Sequence, residues 1–238
     1  MLNFKLKLKH PSFIVGGWVR DKLIDPNSKP KDIDICMVAP SFEEMREAIL
    51  EVGGEIFLET PQYLTIRCKI PELGAVDFAL ARKDGEYSDG RRPDETFIAN
   101  DIVEDLSRRD ATINAMAIDL SNGELVDPFY GRDDIKFERI RAVGKAEDRI
   151  KEDYLRILRY FRFSLTKNFS LHPDIHRCFL YSEFINGLNK VSQERIRDEM
   201  FKCFKFDTTK TLLLLQKYPL LIDKIFSGDL WLKPTNEK

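Results

Sequence analysis

No apolar run in this 238-residue sequence approaches the ~20 residues that span a bilayer, so no membrane-spanning helix is expected. There is no internal repeat and no low-complexity segment. Cysteine is sparse: Cys36, Cys68, Cys178 and Cys203 form no CxxC pair and lie in apolar segments. They are expected to be reduced core residues of a cytoplasmic protein. Histidine is sparse too. His172 and His176 stand four apart on a predicted helix, but no Glu or Cys cluster accompanies them, so a structural role is expected rather than metal ligation. Met1 to Lys9 alternates apolar residues with Lys, which predicts an edge strand and lacks the apolar core of a signal peptide. A net charge of −2 gives no overall bias toward nucleic acid.

What is present is globular: 43% hydrophobic and 33% charged residues, enough chain for one large domain or two small ones. Charge is unevenly placed. Between Arg139 and Lys167 the basic residues 139, 141, 145, 149, 151, 156, 159, 162 and 167 face only the acidic 147, 148, 152 and 153. Such a run reads either as a solvated helix face or as a surface for triphosphate and RNA backbone.

The most informative stretch is Phe13 to Val38. An apolar run turns on Gly16-Gly17, enters a helix carrying Arg20 and Asp21, and returns as a β-branched strand bearing Asp32 and Asp34. Strand side chains alternate, so the two carboxylates share a face while Ile33, Ile35 and Met37 point to the core. Paired carboxylates repel unless a cation sits between them, and an all-oxygen donor set suits Mg²⁺. The glycines let a phosphate approach the backbone at a helix N-terminus. The stretch reads as a metal-nucleotide site.

Beyond it, Ser41 predicts the N-cap of a helix to about Glu51, with Glu44 completing a capping box. Glu55–Leu58, Tyr63–Ile70 and Ala75–Ala81 predict strands, with Pro71–Gly74 as a turn. Asp77 points away from Val76, Phe78 and Leu80, where two-metal chemistry needs a third carboxylate. Residues 82–100 predict a long polar loop. In the following RRDATINAMAIDL, Arg109 is expected on the nucleotide. Asp110 and Asn114, four apart on one helical face, are expected to hold sugar hydroxyls or brace the loop. Lys151–Lys167 predicts one helix, its stripe of Tyr154, Ile157, Leu158, Phe161 and Leu165 buried and Arg156, Arg159 and Arg162 on the other side.

Gly-Gly-x-Val-Arg-Asp with Asp-x-Asp, Arg108-Arg109-Asp110 with Asn114-Ala115, Asp127-Pro128-x-x-Gly131 and Glu152-Asp153-x-x-Arg156 occur in this order. Together they resemble the motifs of the class II tRNA nucleotidyltransferases (CCA-adding enzymes) and bacterial poly(A) polymerases, of the polymerase-β-like superfamily. The resemblance covers about residues 12 to 226. It departs at Tyr130, where the family has glycine in a hinge turn, and a stiffer hinge is expected.

The resemblance implies an α/β head with a mixed, about five-stranded sheet and helices on one side (polymerase-β-like palm), followed by an all-α neck. The expected boundaries are 1–137 for the head, 138–206 for the neck and 207–238 for a truncated body remnant. It implies transfer of C or A from CTP or ATP to an RNA 3′ end, with tRNA the expected acceptor. Asp32 and Asp34 would hold two Mg²⁺ ions (Mn²⁺ an alternative), and Asp77 would assist. Gly16, Gly17, Arg20 and Arg109 would bind phosphate and sugar, and Arg159 and Arg162 would reach the triphosphate. Asp153 and Arg156 would choose the base: cytosine and adenine both offer an amino donor beside a ring-nitrogen acceptor, whereas uracil and guanine invert that pattern. The helix opened by Ser192-Gln193-Glu194-Arg195 resembles the one that braces this template. Family members are longer, with body and tail domains that grip tRNA. Three readings therefore stand: a compact CCA- or A-adding enzyme, acting with reduced grip or as a homo-oligomer; a poly(A) polymerase-like enzyme; and a non-catalytic binding subunit completed by a partner chain.

Overall fold

The computed structural model describes residues 6–29, 32–71, 73–90 and 93–226. They divide into two compact units, one from 1–86 and 93–137, the other from 87–92 and 138–238.

The first unit is built on a seven-stranded mixed sheet, ordered β3-β4-β5-β2-β1-β8-β9. Its strands are β1 (Ser12–Val15), β2 (Ile33–Met37), β3 (Glu55–Thr60), β4 (Thr65–Ile70), β5 (Gly74–Leu80), β8 (Ala117–Asp119) and β9 (Leu125–Val126). The count exceeds the expected five because the two-stranded margin β8-β9 is too short to carry an alternation signal. The β2–β5 pair is parallel and the others antiparallel. One face forms the core: Ile14, Ile35, Met37, Ile66, Cys68, Val76, Phe78 and Leu80 pack against Trp18 and Val19 of α1 (Gly17–Ile24) and Met45 and Ile49 of α2 (Phe42–Glu51). Alternation in β4 holds from Thr65, whereas Pro61–Tyr63 forms a 3₁₀ turn and Leu64 sits at φ 58.

Ser41 caps α2 by accepting the Glu44 N–H at 3.1 Å, but the Glu44 carboxylate turns to Lys9 and His10 instead of closing the capping box. Of the predicted N-terminal edge strand, residues 1–5 lie outside the described residues, and Leu6 and Leu8 lean on the core without pairing in a strand. The predicted 82–100 loop is partly ordered, since β6 (Arg82–Asp84) and β7 (Thr96–Ile98) pair as a hairpin. Helix α3 (Ile102–Ser107) follows, so helices are not confined to the core face: its Asp105 reaches Cys36, which projects from the other side. Short helix α4 (Gly131–Lys136) ends the unit, its first N–H groups at Gly131 and Arg132 donating to Asp127. Tyr130, where the turn favours glycine, is held at φ 60.

The second unit is mainly helical but includes the two-stranded β10 (Arg139–Ile140) and β11 (Ser170–Leu171). The expected Lys151–Lys167 helix is interrupted. Helix α5 (Ala146–Glu152) ends, Asp153 is extended at φ −145, and α6 (Leu155–Lys167) restarts with its Leu155 N–H donating to the Asp153 carboxylate at 3.1 Å. Helices α7 (Pro173–Leu180), α8 (Ser182–Asn186), α9 (Gln193–Phe206), α10 (Thr208–Leu215) and α11 (Pro219–Phe226) complete this unit. His172 caps α7 and His176 stands edge-on to Tyr218, so both are structural. All four cysteines are free and buried. Burial pushes the Cys68 and Cys178 thiols up to about 11 and Cys203 up to about 12, which keeps them protonated and unreactive.

Candidate functional site

The first unit's site lies on the sheet face opposite the core. Asp34 is the partner of Val15 across β1–β2 and of Asp77 across β2–β5, so the three side chains project side by side. Asp32 and Asp34 are exposed and Asp77 is partly covered. The Asp34 carboxyl is held above the usual aspartate range, first by partial desolvation against the sheet and then by the Asp77 carboxylate. Arg109 opposes this and Asp32 adds to it.

Among the described residues, no three acidic, thiol or imidazole groups converge on one metal-sized point. Asp77 is drawn instead to Arg67, Oδ1 to Nε 3.5 Å. Asp32 and Asp34 remain a pair of hard oxygen donors in mutual repulsion with their neighbour, and that chemistry fits a divalent cation.

Beside the carboxylates, β1 runs through Gly16 into α1. Gly16 has φ 72, and a Cβ there would lie 3.4 Å from Arg109 Nη1 and 3.8 Å from Asp34 Oδ2. The positive φ favours glycine there, and the two contacts, which a Cβ could meet at ordinary van der Waals distance, place the start of α1 between a cation and a carboxylate.

The Arg108-Arg109-Asp110 segment is not a helical face. Helix α3 ends at Ser107, Ala111 is extended, and Thr112–Asn114 is a 3₁₀ turn. Asp110 and Asn114 nonetheless meet, Asn114 Nδ2 donating to Asp110 Oδ1 at 3.0 Å. Asn114 Oδ1 in turn accepts from Arg20 Nη1 at 2.6 Å, while Arg20 forks onto Asp21 at 2.8 and 3.0 Å. Arg20, Asn114 and Asp110 thus brace the turn, which of the two expected roles favours the structural one. Sequence reasoning missed Asp105. This fully buried carboxylate receives Arg108 at 2.7 Å and Arg109 at 2.9 Å. Burial would raise its pKa, but the two guanidiniums hold it below the usual range. The i, i+3, i+4 spacing of Asp105 with Arg108 and Arg109 was the available signal.

The second unit holds the remaining candidates. Asp153 and Arg156 are joined through the backbone, the Arg156 N–H donating to the Asp153 carbonyl at 2.9 Å, but their side chains have different partners. Asp153 accepts from Arg195 Nη2 of α9 at 2.8 Å, whereas Arg156, 8% exposed, donates to the Arg149 carbonyl at 2.9 Å and bonds Glu152. Each side chain thus has its own holder, Arg195 for Asp153 and Glu152 for Arg156. Arg162 donates to Glu199 of α9 at 2.6 Å, and Arg159 and Arg162 lie over the Phe163 ring. Arg162 therefore ties α6 to α9.

A model of the poly A polymerase head domain matches residues 12–141. The CCA-adding enzyme of Oceanobacillus iheyensis is 38% identical over 201 residues, 82% of this chain and 46% of that protein. The Bacillus stearothermophilus CCA-adding enzyme in complex with CTP superimposes with a TM-score of 0.72 at 29% identity, covering 88% of this chain and 48% of that one. The Thermotoga maritima CCA-adding enzyme complexed with tRNA gives a TM-score of 0.72 at 27% identity, covering 93% and 50%. The chain spans about half the length of the relatives it matches.

Proposed function

The chain belongs to the poly(A) polymerase head-domain family, and from that membership we propose that it is a template-independent RNA nucleotidyltransferase that adds C or A from CTP or ATP to the 3′ end of tRNA. The observation that carries this reading is the lateral order of Asp77, Asp34, Val15 and Gly16 on one open sheet face, with Arg109 at the glycine. Carboxylates for a cation stand beside a helix N-terminus and a guanidinium for a triphosphate.

Enzymes of this family use divalent metal ions. In our reading Asp32 and Asp34 hold two Mg²⁺ ions, with Mn²⁺ as a substitute, and Asp77 assists once it leaves Arg67. Bound there, the metal supplies activation of the attacking hydroxyl and neutralisation of the leaving pyrophosphate. The protein's own part is positional. Gly16 and Gly17 admit the triphosphate to the α1 N-terminus, and Arg109, oriented by Asp105, neutralises it. Arg20, Asn114 and Asp110 keep that turn rigid.

Base choice falls to Asp153 and Arg156. Asp153 is oriented by Arg195 and Arg156 by Glu152, so neither group reorients at low cost to suit uracil or guanine. A mismatch then leaves a donor or acceptor unpaired, worth about 1–3 kcal/mol each. The free, buried cysteines suit a reducing cytoplasm. Among the described residues no helix is long and apolar enough to cross a membrane.

The test is to supply purified protein with a divalent metal, each labelled NTP separately, and three acceptors: tRNA lacking CCA, tRNA ending in CC, and oligo(A). Ordered C, C, A addition that stops is the expected result. Addition of A alone to tRNA ending in CC makes it an A-adding enzyme, and long tails on any RNA make it a poly(A) polymerase. No incorporation from protein that still binds ATP overturns the enzyme reading in favour of a binding subunit.

A further inference from the structure

Strand register extends the catalytic row one strand further. Arg67 of β4 is the partner of Asp77, as Asp77 is of Asp34. Directly paired residues project from the same face. The order across this face is therefore Arg67, Asp77, Asp34 and the buried Val15, with Gly16 and Arg109 beyond. Lys69 stands one step along β4 on that same face, opposite Ala75.

Both cations are exposed, the Arg67 side chain to 53%. Arg67 has one polar partner among the described residues, Asp77 at 3.5 Å through Nε alone, and Lys69 has no charged partner there. Charge balance for Asp77 explains one cation but not two.

The direction of the reaction gives them a role. In phosphoryl transfer the attacking and leaving oxygens lie roughly in line across the phosphorus. If the triphosphate lies toward Gly16 and Arg109, pyrophosphate leaves on the β1 flank, and the acceptor hydroxyl arrives over β5 and β4. The phosphodiester behind that hydroxyl then passes over Arg67 and Lys69. A guanidinium fork matches a phosphate in geometry and charge. Leu58, the partner of Arg67 on edge strand β3, is exposed alongside and offers an apolar margin to an unpaired base.

Resting on the nucleotidyl-transfer reading, we propose that Arg67 and Lys69 bind the acceptor RNA backbone on the flank opposite the triphosphate. Occupation of Arg67 by phosphate competes with Asp77 and frees that carboxylate for the neighbouring pair. Arrival of acceptor is thereby coupled to completion of the acidic site.

The test measures binding of a fluorescent single-stranded RNA ending in CC, by anisotropy over a range of salt. It compares wild type, Arg67→Ala, Lys69→Ala, the double variant and Arg67→Lys, with KM for acceptor and NTP measured in parallel. The double variant should bind RNA roughly tenfold more weakly. The slope of log Kd against log salt should fall by about 0.7 per lost phosphate contact. The acceptor KM should rise while the NTP KM stays within about twofold, and Arg67→Lys should keep the slope while losing part of the affinity. An unchanged slope and affinity, an NTP KM rising in step with the acceptor KM, or a wild type that does not bind RNA would each overturn the proposal. Wild type that binds RNA yet transfers nothing would instead overturn the nucleotidyl-transfer reading, and the salt slope of binding still decides the role of Arg67 and Lys69.

Discussion

Asp34 on β2 and Asp77 on β5 are direct partners across the one parallel strand pair of the sheet, and the Asp77 carboxylate adds to the desolvation that holds the Asp34 carboxyl above the usual aspartate range. Two like charges in adjacent register repel each other, and Asp77 is offset only by its exposed Arg67 partner. Their value lies in what they bind.

If Asp32 and Asp34 hold the metal as proposed, removing either should abolish transfer without unfolding the protein. Asp32→Ala and Asp34→Ala are expected to lower the transfer rate more than about 1,000-fold, equivalent to several kcal/mol of lost metal chemistry. Thermal melts should stay within about 2 °C, because both residues are exposed. Residual turnover within tenfold of wild type would sink the assignment.

Arg156→Ala is expected to weaken the preference for ATP and CTP over UTP and GTP by roughly tenfold, the worth of one unpaired polar contact. An NTP competition assay reads this directly, and unchanged selectivity would remove the template role of the Asp153 and Arg156 pair.

The Glu199 pair gives a pH signature. Burial works against ionisation there, but the Arg162 and Lys202 hydrogen bonds hold the carboxyl below the usual glutamate value of 4.5. The folded state thus binds this proton less readily than the unfolded chain. The stabilisation is present above pH 4.5 and is lost as pH falls through the lower folded value. Glu199→Gln, at a site only 3% exposed, should cost about 2 kcal/mol at pH 7. The gap from wild type in urea melts should narrow as pH drops below 4.5. A gap that is constant with pH would assign the loss to packing instead.

Tyr130 occupies left-handed backbone at φ 60, where side chains are disfavoured by ~1–2 kcal/mol, and the residue is 65% exposed. Tyr130→Gly should relieve more than it forfeits in unfolded-state entropy, a net gain of about 0.5–1 kcal/mol or a rise of ~1–3 °C in Tm. A lower Tm would show that the tyrosine is held by contacts that outweigh its backbone strain.

Much of this was legible without coordinates. Alternation in β4 and β5, the Ser41 cap and the Gly16-Gly17 turn all follow from neighbours within a few residues of one another, whereas β2 begins at Ile33 and leaves Asp32 just before the strand that was expected to carry it. Local backbone sterics and hydrophobic periodicity suffice for such features. The family motifs were likewise readable, because each is a short contiguous string. What sequence could not supply is which distant segments meet. The place of Asp77 on a strand beside the Asp-x-Asp strand was expected, but that β4 follows β5 and brings Arg67 into the row is a matter of sheet order. So is the finding that Asp153 answers to Arg195, and Arg162 to Glu199, rather than to the charges nearest them in the chain. The α5–α6 break at Asp153 belongs here too, since helical periodicity runs through it and a carboxylate that bonds both Leu155 and Arg195 overrides it. The chain by itself determined which groups were available and which face each would take. Only tertiary packing decided their partners, because ion pairing and desolvation depend on distances through space that no local pattern encodes.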